Sequence, residues 1–147
     1  MFSGGTYVAW GMEHREVPVR LCSATSPTSR NFELKTLDGT ANPYLAMAAI
    51  LGAGLSGIIE NKELAVKEIP FDKQKSAAML SREEREELGI IERLPLNWQE
   101  SREKFVKSEV VEKVFGKDFR EKYAGVNKVC LKISVPFTPI NFMSAGT

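Results

Sequence analysis

Apolar and polar positions alternate with a period of two near the N-terminus. The pattern then gives way to one long apolar run and finally to helical spacing. Residues 6–10, Thr-Tyr-Val-Ala-Trp, are β-formers stopped by Gly11. Over residues 16–22, Val17, Val19 and Leu21 fall on one side, with Glu16, Pro18, Arg20 and Cys22 on the other. Pro18 has no N–H to give to a ladder, which predicts an edge strand or a bulge. Residues 23–29 are a loop rich in Ser, Thr and Pro. Residues 30–36 alternate again, with Phe32 and Leu34 facing one way and Asn31, Glu33 and Lys35 the other. Asp38-Gly39 marks a turn.

Asn42-Pro43 then predicts a helix start, with Asn as cap and Pro where a missing N–H costs nothing. The helix is expected over residues 43–60. It is apolar on nearly every face, so it should be buried all round, and Ala46, Ala49, Gly52 and Ala53 let neighbouring backbones come close. Its uncharged stretch, residues 44–59, is shorter than the roughly 20 residues a bilayer demands and lacks anchors on both sides, which argues against a membrane span. Residues 62–76 carry mixed charge and Pro70 and predict a long surface excursion. Ser81-Arg82-Glu83-Glu84 has capping-box form and opens a short helix to Leu88. Asn97 opens another to about Lys107; Ser108 caps a third that Gly116 ends; and residues 117–123 continue helically. Phe105, Val106, Val110, Val111, Val114, Phe115, Phe119 and Tyr123 form the apolar side of these helices. Residues 131–137 look strand-like, Pro136 and Pro139 break the pattern, and residues 140–147 suggest no element. Strands first and helices afterwards make an α+β chain, with N-terminal antiparallel strands expected to be followed by a buried helix and several surface helices.

A length of 147 residues suits one domain, and 43% hydrophobic with 27% charged residues is an ordinary globular composition. Twenty basic residues against nineteen acidic ones leave a net charge of +1, so no overall field points to nucleic acid or a membrane. Cys22 and Cys130 are too far apart for a metal knuckle, which favours a reduced, cytoplasmic setting over a disulfide framework. The first residues do not form a secretory signal. No phosphate loop of the Walker type and no nucleophile elbow is present.

Candidate chemistry is confined to the strands. If the second and third are neighbours, Arg20, Glu33 and Lys35 project from one exposed face. A carboxylate between two cations is either a solvent-side ion cluster or a site, and parity alone leaves both open. Arg15 has the opposite parity to Arg20 and needs a bend to join them. The single histidine, His14, has no partners at metal-ligand spacing and reads as a surface or hydrogen-bonded residue.

Two stretches carry a resemblance. Trp10-Gly-Met-Glu-His-Arg15 followed by Arg20 resembles the Gly-x-Glu-Asn-Arg pattern of glutamine synthetases with its second Arg five residues on. Phe32-Glu-Leu-Lys35, then Asp38-Gly-Thr-Ala-Asn-Pro-Tyr-Leu45 and Ala53-Gly-Leu-x-Gly57, is similar to that family's Ile-Glu-x-Arg, Ala-Asn-Pro-Tyr-Leu and Ala-Gly-Leu-x-Gly run. The helices from Leu94 to about Lys128 look like the family's closing segment, and the whole is nearer the fungal FluG-type proteins than the bacterial enzymes. The resemblance implies that residues 1–128 are the C-terminal part of a glutamine synthetase catalytic domain, with residues 129–147 an irregular tail. It implies ligation of ammonia, or another amine, to glutamate through a γ-glutamyl phosphate, using ATP and Mg²⁺ or Mn²⁺, in a homo-oligomeric ring.

By the same resemblance Arg15, as the catalytic residue, and Arg20 bind the ATP phosphates and the transferring group. Glu33 ligates a metal, and Lys35 grips the glutamate carboxylate or the γ-phosphoryl group. Lys35 stands where the family has Arg, replacing a planar fork by a point charge. Asn31 stands where an Arg usually contacts nucleotide, a role that neighbouring Arg30 can take. His14 replaces an Asn. The family's other metal-binding residues and its glutamate-binding loop would precede Met1, so the chain is expected to be inactive alone, as a truncated or mis-spliced form. The alternative from another class is a non-catalytic regulatory or assembly protein on the same scaffold.

Overall fold

The computed structural model describes residues 5–73 and 75–133. Strands β1 (Trp10–Met12), β2 (Val19–Cys22) and β3 (Asn31–Leu34) form a sheet in that order. β2 and β3 are antiparallel, with Val19 opposite Leu34, Arg20 opposite Glu33 and Leu21 opposite Phe32. β1 departs from the expected antiparallel arrangement: it runs parallel to β2, with Trp10 beside Val19 and Met12 beside Leu21. The cause is the bend after β1. Glu13 has a left-handed backbone, φ 54°, and residues 13–18 carry the chain back before β2 sets off in the same direction. The Glu13 amide donates to the Leu21 carbonyl at 3.0 Å, and the Glu13 carboxylate accepts from the Ser23 amide, so both strand ends are tied. Pro18 lies just before β2, where its missing N–H breaks no rung.

The strand expected over residues 6–10 divides. Tyr7 bridges Arg93 in antiparallel fashion, flanked by Val8 N to Glu92 O and Leu94 N to Thr6 O, each 2.9 Å, and the chain joins the sheet only at Trp10.

Residues 62–76 are exposed over most of their described length, as expected of a surface excursion, but the segment is anchored at one buried point. Ile69 is fully buried, its amide donates to the Trp10 carbonyl at 3.0 Å, and the Trp10 indole N–H reaches the Val66 carbonyl at 2.8 Å. The charged neighbours hid two apolar anchors three residues apart, Val66 and Ile69, on a segment that lies along the edge of β1. The compact core is here. It comprises Ala9, Val17, Ile69, Ala77, Leu80 and Ile90, with Tyr7, Val66 and Leu88 packed against it. Two 3₁₀ turns, Phe71–Lys73 and Ala77–Met79, lead to α2 (Arg82–Glu87), whose capping box is complete through Ser81 and Glu84. Arg85 reaches back from α2 to the Leu80 carbonyl at 2.5 Å and lies over the Tyr7 ring.

Helix α1 (Pro43–Ile59) begins where expected. Asn42 Oδ1 accepts from the amides of Tyr44 and Leu45 at 3.0 and 3.2 Å, satisfying donors that no helical carbonyl can reach. Its environment corrects the sequence reading, because no residue of α1 is buried. Tyr44 is 84% exposed, Leu51 63% and Ile58 77%. Apolarity on every face requires cover on every side, whereas among the described residues α1 packs chiefly on one helix, Glu109–Phe115 (α4). Gly52 gives the close approach there: a Cβ on it would come within 2.4 Å of Val114.

The three remaining helices, α3 (Trp98–Lys107), α4 (Glu109–Phe115) and α5 (Lys117–Ile133), start and stop on their caps, Asn97, Ser108 and Gly116, the last with φ 82°. Phe105, Tyr123, Phe119 and Phe115 form a ladder of rings with centroids 5.3, 5.5 and 5.0 Å apart. Val106, expected on the apolar side, is exposed. α5 also takes in residues 131–133, expected as the start of a strand. No proline falls between Lys117 and Pro136, and extending an existing helix adds a hydrogen bond per residue, whereas a new strand needs a partner. The rest of the expected strand and the tail beyond it lie outside the described residues.

Candidate functional site

The antiparallel register of β2 and β3 puts Arg20 directly opposite Glu33, and their side chains meet, Nη2 to Oε2, at 2.5 Å. Period-two geometry sends Cys22 to the same face, and its sulfur accepts from Arg20 Nε at 3.2 Å. The guanidinium is thus held by two groups on its own sheet and is largely shielded, while Glu33 is more open. Lys35 follows β3 on the Glu33 side, and its amide donates to the Pro18 carbonyl at 3.0 Å. Its ammonium reaches the Arg15 carbonyl. That contact ties the residue 13–18 turn to the end of β3. The Arg15 side chain itself is exposed.

Arg20, Glu33 and Lys35 therefore share one corner of the paired strands, and Lys35 ties the backbone of Arg15, in the turn after β1, to it. Arg30 is not drawn into it. Its Nε and Nη2 both donate to the Ala24 carbonyl, at 3.1 and 2.7 Å, closing the loop that joins β2 to β3. A cavity of about 540 Å³ lies elsewhere, between the N-terminal turn of α1 and helices α3 and α5; Asp38, Asn42, Arg102 and Tyr123 are in its wall and none of the corner residues is.

The corner sets two cations, Arg20 and Lys35, beside one carboxylate, with the exposed Arg15 in the adjoining turn, a set with the chemistry of an anion grip. Phosphate oxygens suit such a set, because Arg and Lys donors meet their charge and number. A divalent ion is served less completely. Among the described residues no three His, Cys, Asp or Glu side chains gather, so Glu33 can be one ligand of a hard cation and not its whole cage.

Three residues around the corner were not singled out as functional by sequence reasoning. Glu13 ties β1 to Ser23, Cys22 supports Arg20, and Glu68 accepts from the Met12 amide at 3.1 Å. Cys22 was visible as an i, i+2 neighbour of Arg20; Glu68 was not, because its place depends on the edge pairing of residues 66–69. His14, read as a surface or hydrogen-bonded histidine, is hydrogen-bonded and buried at 1% exposure, with Nδ1 accepting from the Glu16 amide at 3.1 Å.

Residues 2–132 match the family model described as glutamine synthetase, catalytic domain. The chain is 38% identical over 128 residues to protein fluG of Emericella nidulans, covering 87% of this chain and 14% of that protein. It is 32% identical over 121 residues to a glutamine synthetase of Methanocaldococcus jannaschii, covering 82% and 25% respectively. With a glutamine synthetase of Staphylococcus epidermidis it shares 43% identity over 88 residues, 57% of this chain and 18% of that one. The chain thus spans a quarter or less of the length of these relatives. Among the described residues no helix is long and apolar enough to cross a membrane.

Proposed function

The chain belongs to the glutamine synthetase catalytic-domain family, and from that membership we propose that it is the C-terminal part of an ATP-dependent ligase that joins an amine, ammonia in the simplest case, to the side-chain carboxylate of glutamate. The observation that carries this reading is the corner itself. Arg20 and Glu33 meet at 2.5 Å across paired strands, with Lys35 on the same side and the Arg15 turn tied to it. In this proposal ATP supplies the phosphoryl group that activates the carboxylate. Arg15 and Arg20 bind the phosphate oxygens and hold the transferring group in line, spreading fixed positive charge where negative charge develops. Lys35 grips the glutamate carboxylate or the γ-phosphoryl group as a point charge. Glu33 contributes one oxygen ligand to a Mg²⁺ or Mn²⁺ ion when phosphate takes its place on Arg20, and the remaining ligands come from outside this chain.

The exposed face of α1 supports the same reading, because an uncharged helix with Leu51 63% and Ile58 77% exposed is built for cover that these residues do not supply. The chain alone should therefore bind phosphate weakly and turn nothing over. The reading is tested by replacing the corresponding segment of an active glutamine synthetase with this chain and measuring glutamate-dependent ATP hydrolysis with Mn²⁺. Turnover by the chimera, lost on Arg20→Ala, is expected; an assembled but inactive chimera contradicts it.

That second outcome would favour a regulatory or assembly role on the same scaffold, or a ligase for another amine. Lys35 is the observation on its side: it is engaged with the Arg15 carbonyl, and a point charge cannot make the two-pronged contact of an arginine.

A further inference from the structure

His14 is the most enclosed titratable group described, at 1% exposure, and none of the chemistry above uses it. It sits in the turn between β1 and β2, one residue before Arg15. Its Cβ packs closely on Gly11, where an added Cβ would lie 2.9 Å from both His14 Cβ and the Ile69 carbonyl oxygen. Nδ1 accepts the Glu16 amide proton at 3.1 Å, so it must carry a lone pair, and the ring proton is then on Nε2. Nε2 is buried and finds no hydrogen-bond partner among the described residues. A buried donor left without a partner is rare and calls for a reason other than stability.

We propose that neutral His14 is the positioning residue of the Arg15 turn, and that a proton added to its Nδ1 opens that turn. Protonation converts the acceptor of the Glu16 amide into a second donor, so the bond is lost and two N–H groups face each other. The groups around the ring are Glu16 in the turn, Lys35 after β3 and Glu68 on the segment beside β1. Burial opposes the charged ring most strongly; Glu16 and Glu68 favour it and Lys35 opposes it, and the balance puts the pKa below its ordinary 6.5. Because the folded value lies below the unfolded one, the turn's stability is full above pH 6.5 and is lost as the pH falls through the folded value. Lys35 reaches the Arg15 carbonyl of this same turn, so opening it releases the Arg15 backbone from Lys35. The consequence for phosphate binding rests on the function proposed above; the switch itself does not.

His14 is the only histidine of the chain, so its ring nitrogens can be followed by NMR without ambiguity. In the whole chain, without nucleotide, the Nε2–H tautomer is expected at neutral pH. The ring should titrate below 6.5, and the Glu16 amide should lose its hydrogen-exchange protection through the same midpoint. His14→Asn, which keeps an acceptor near Nδ1 and does not titrate, should hold that protection across the range. An Nδ1–H tautomer, a midpoint at or above 6.5, or Glu16 protection that ignores the titration overturns the proposal, and each is read on the unaltered chain. With no nucleotide present, none of these outcomes depends on whether Arg15 and Arg20 bind phosphate.

Discussion

At the scale of single residues, the corner combines one tight position with one lenient one. Gly11 has no room for a side chain, because the nearest groups are the His14 Cβ and a backbone carbonyl, each 2.9 Å from an added Cβ. Gly11→Ala should therefore cost about 1–3 kcal/mol of stability by overpacking, read as a lower urea midpoint at unchanged slope. Glu33 is different. Its bond to Arg20 lies at a partly open surface, with side-chain exposures of 40% and 22%, so Glu33→Gln should change stability by no more than about 1 kcal/mol. The same substitution should abolish Mn²⁺-supported turnover in the chimera, separating a functional carboxylate from a structural one. Much of this was legible beforehand. Parity placed Arg20, Glu33 and Lys35 on one face, and the register of β2 with β3 brings the first two into contact. The burial of His14 was not legible, since it depends on Gly11 and on Ile69, a residue from a segment that reads as solvent-exposed.

Among the elements, caps were the most readable feature. Asn42, Ser81, Asn97 and Ser108 each begin a helix with their side chains on the orphan amides, because those bonds are local and need no knowledge of the rest of the chain. Pairings that join distant segments were hidden, such as Ile69 on Trp10 and the parallel course of β1, both of which follow from bends that hydropathy does not report. The join between α1 and α4 is equally non-local. It centres on Glu60, whose carboxylate accepts from Lys113 at 2.6 Å and Ser56 at 2.7 Å and pairs with Lys62 at 2.9 Å. Lys113 foremost, then Lys62 and Ser56, hold the Glu60 pKa down at about 2 against an ordinary 4.5. A depressed carboxylate stabilises the fold fully above its unfolded pKa, and that contribution fades as the pH falls from 4.5 toward 2. Glu60→Gln should accordingly melt earlier than the parent at neutral pH, with the gap closing over that acid interval; a gap that persists at the acid end counts against the ion pair as its source.

For the whole molecule, the decisive feature is uncovered apolar surface. Phe32 and Leu34 on β3, with Tyr44, Leu51, Leu55 and Ile58 on α1, are exposed although their pattern is that of a core, so the helix was recognised correctly and its surroundings were not. A reading of residues alone assigns burial from apolarity, whereas burial also needs a second surface, and these residues do not supply one for α1. The isolated chain should self-associate through this face, and Leu51→Glu with Leu55→Lys should shift it toward monomer in light scattering while leaving the capped helix intact by circular dichroism. The central claim is that Arg15, Arg20 and Glu33 converge on one phosphate and ion site, and it can be tested on the chain itself by adding Mn²⁺·ATP and following paramagnetic broadening of assigned amide signals. The nucleotide brings the phosphate oxygens that a single carboxylate cannot replace, so residues 13–22 and 31–35 should broaden first and Arg20→Ala should remove the effect. Broadening centred instead on the acidic helix Arg82–Glu87, or spread evenly over the chain, would contradict it.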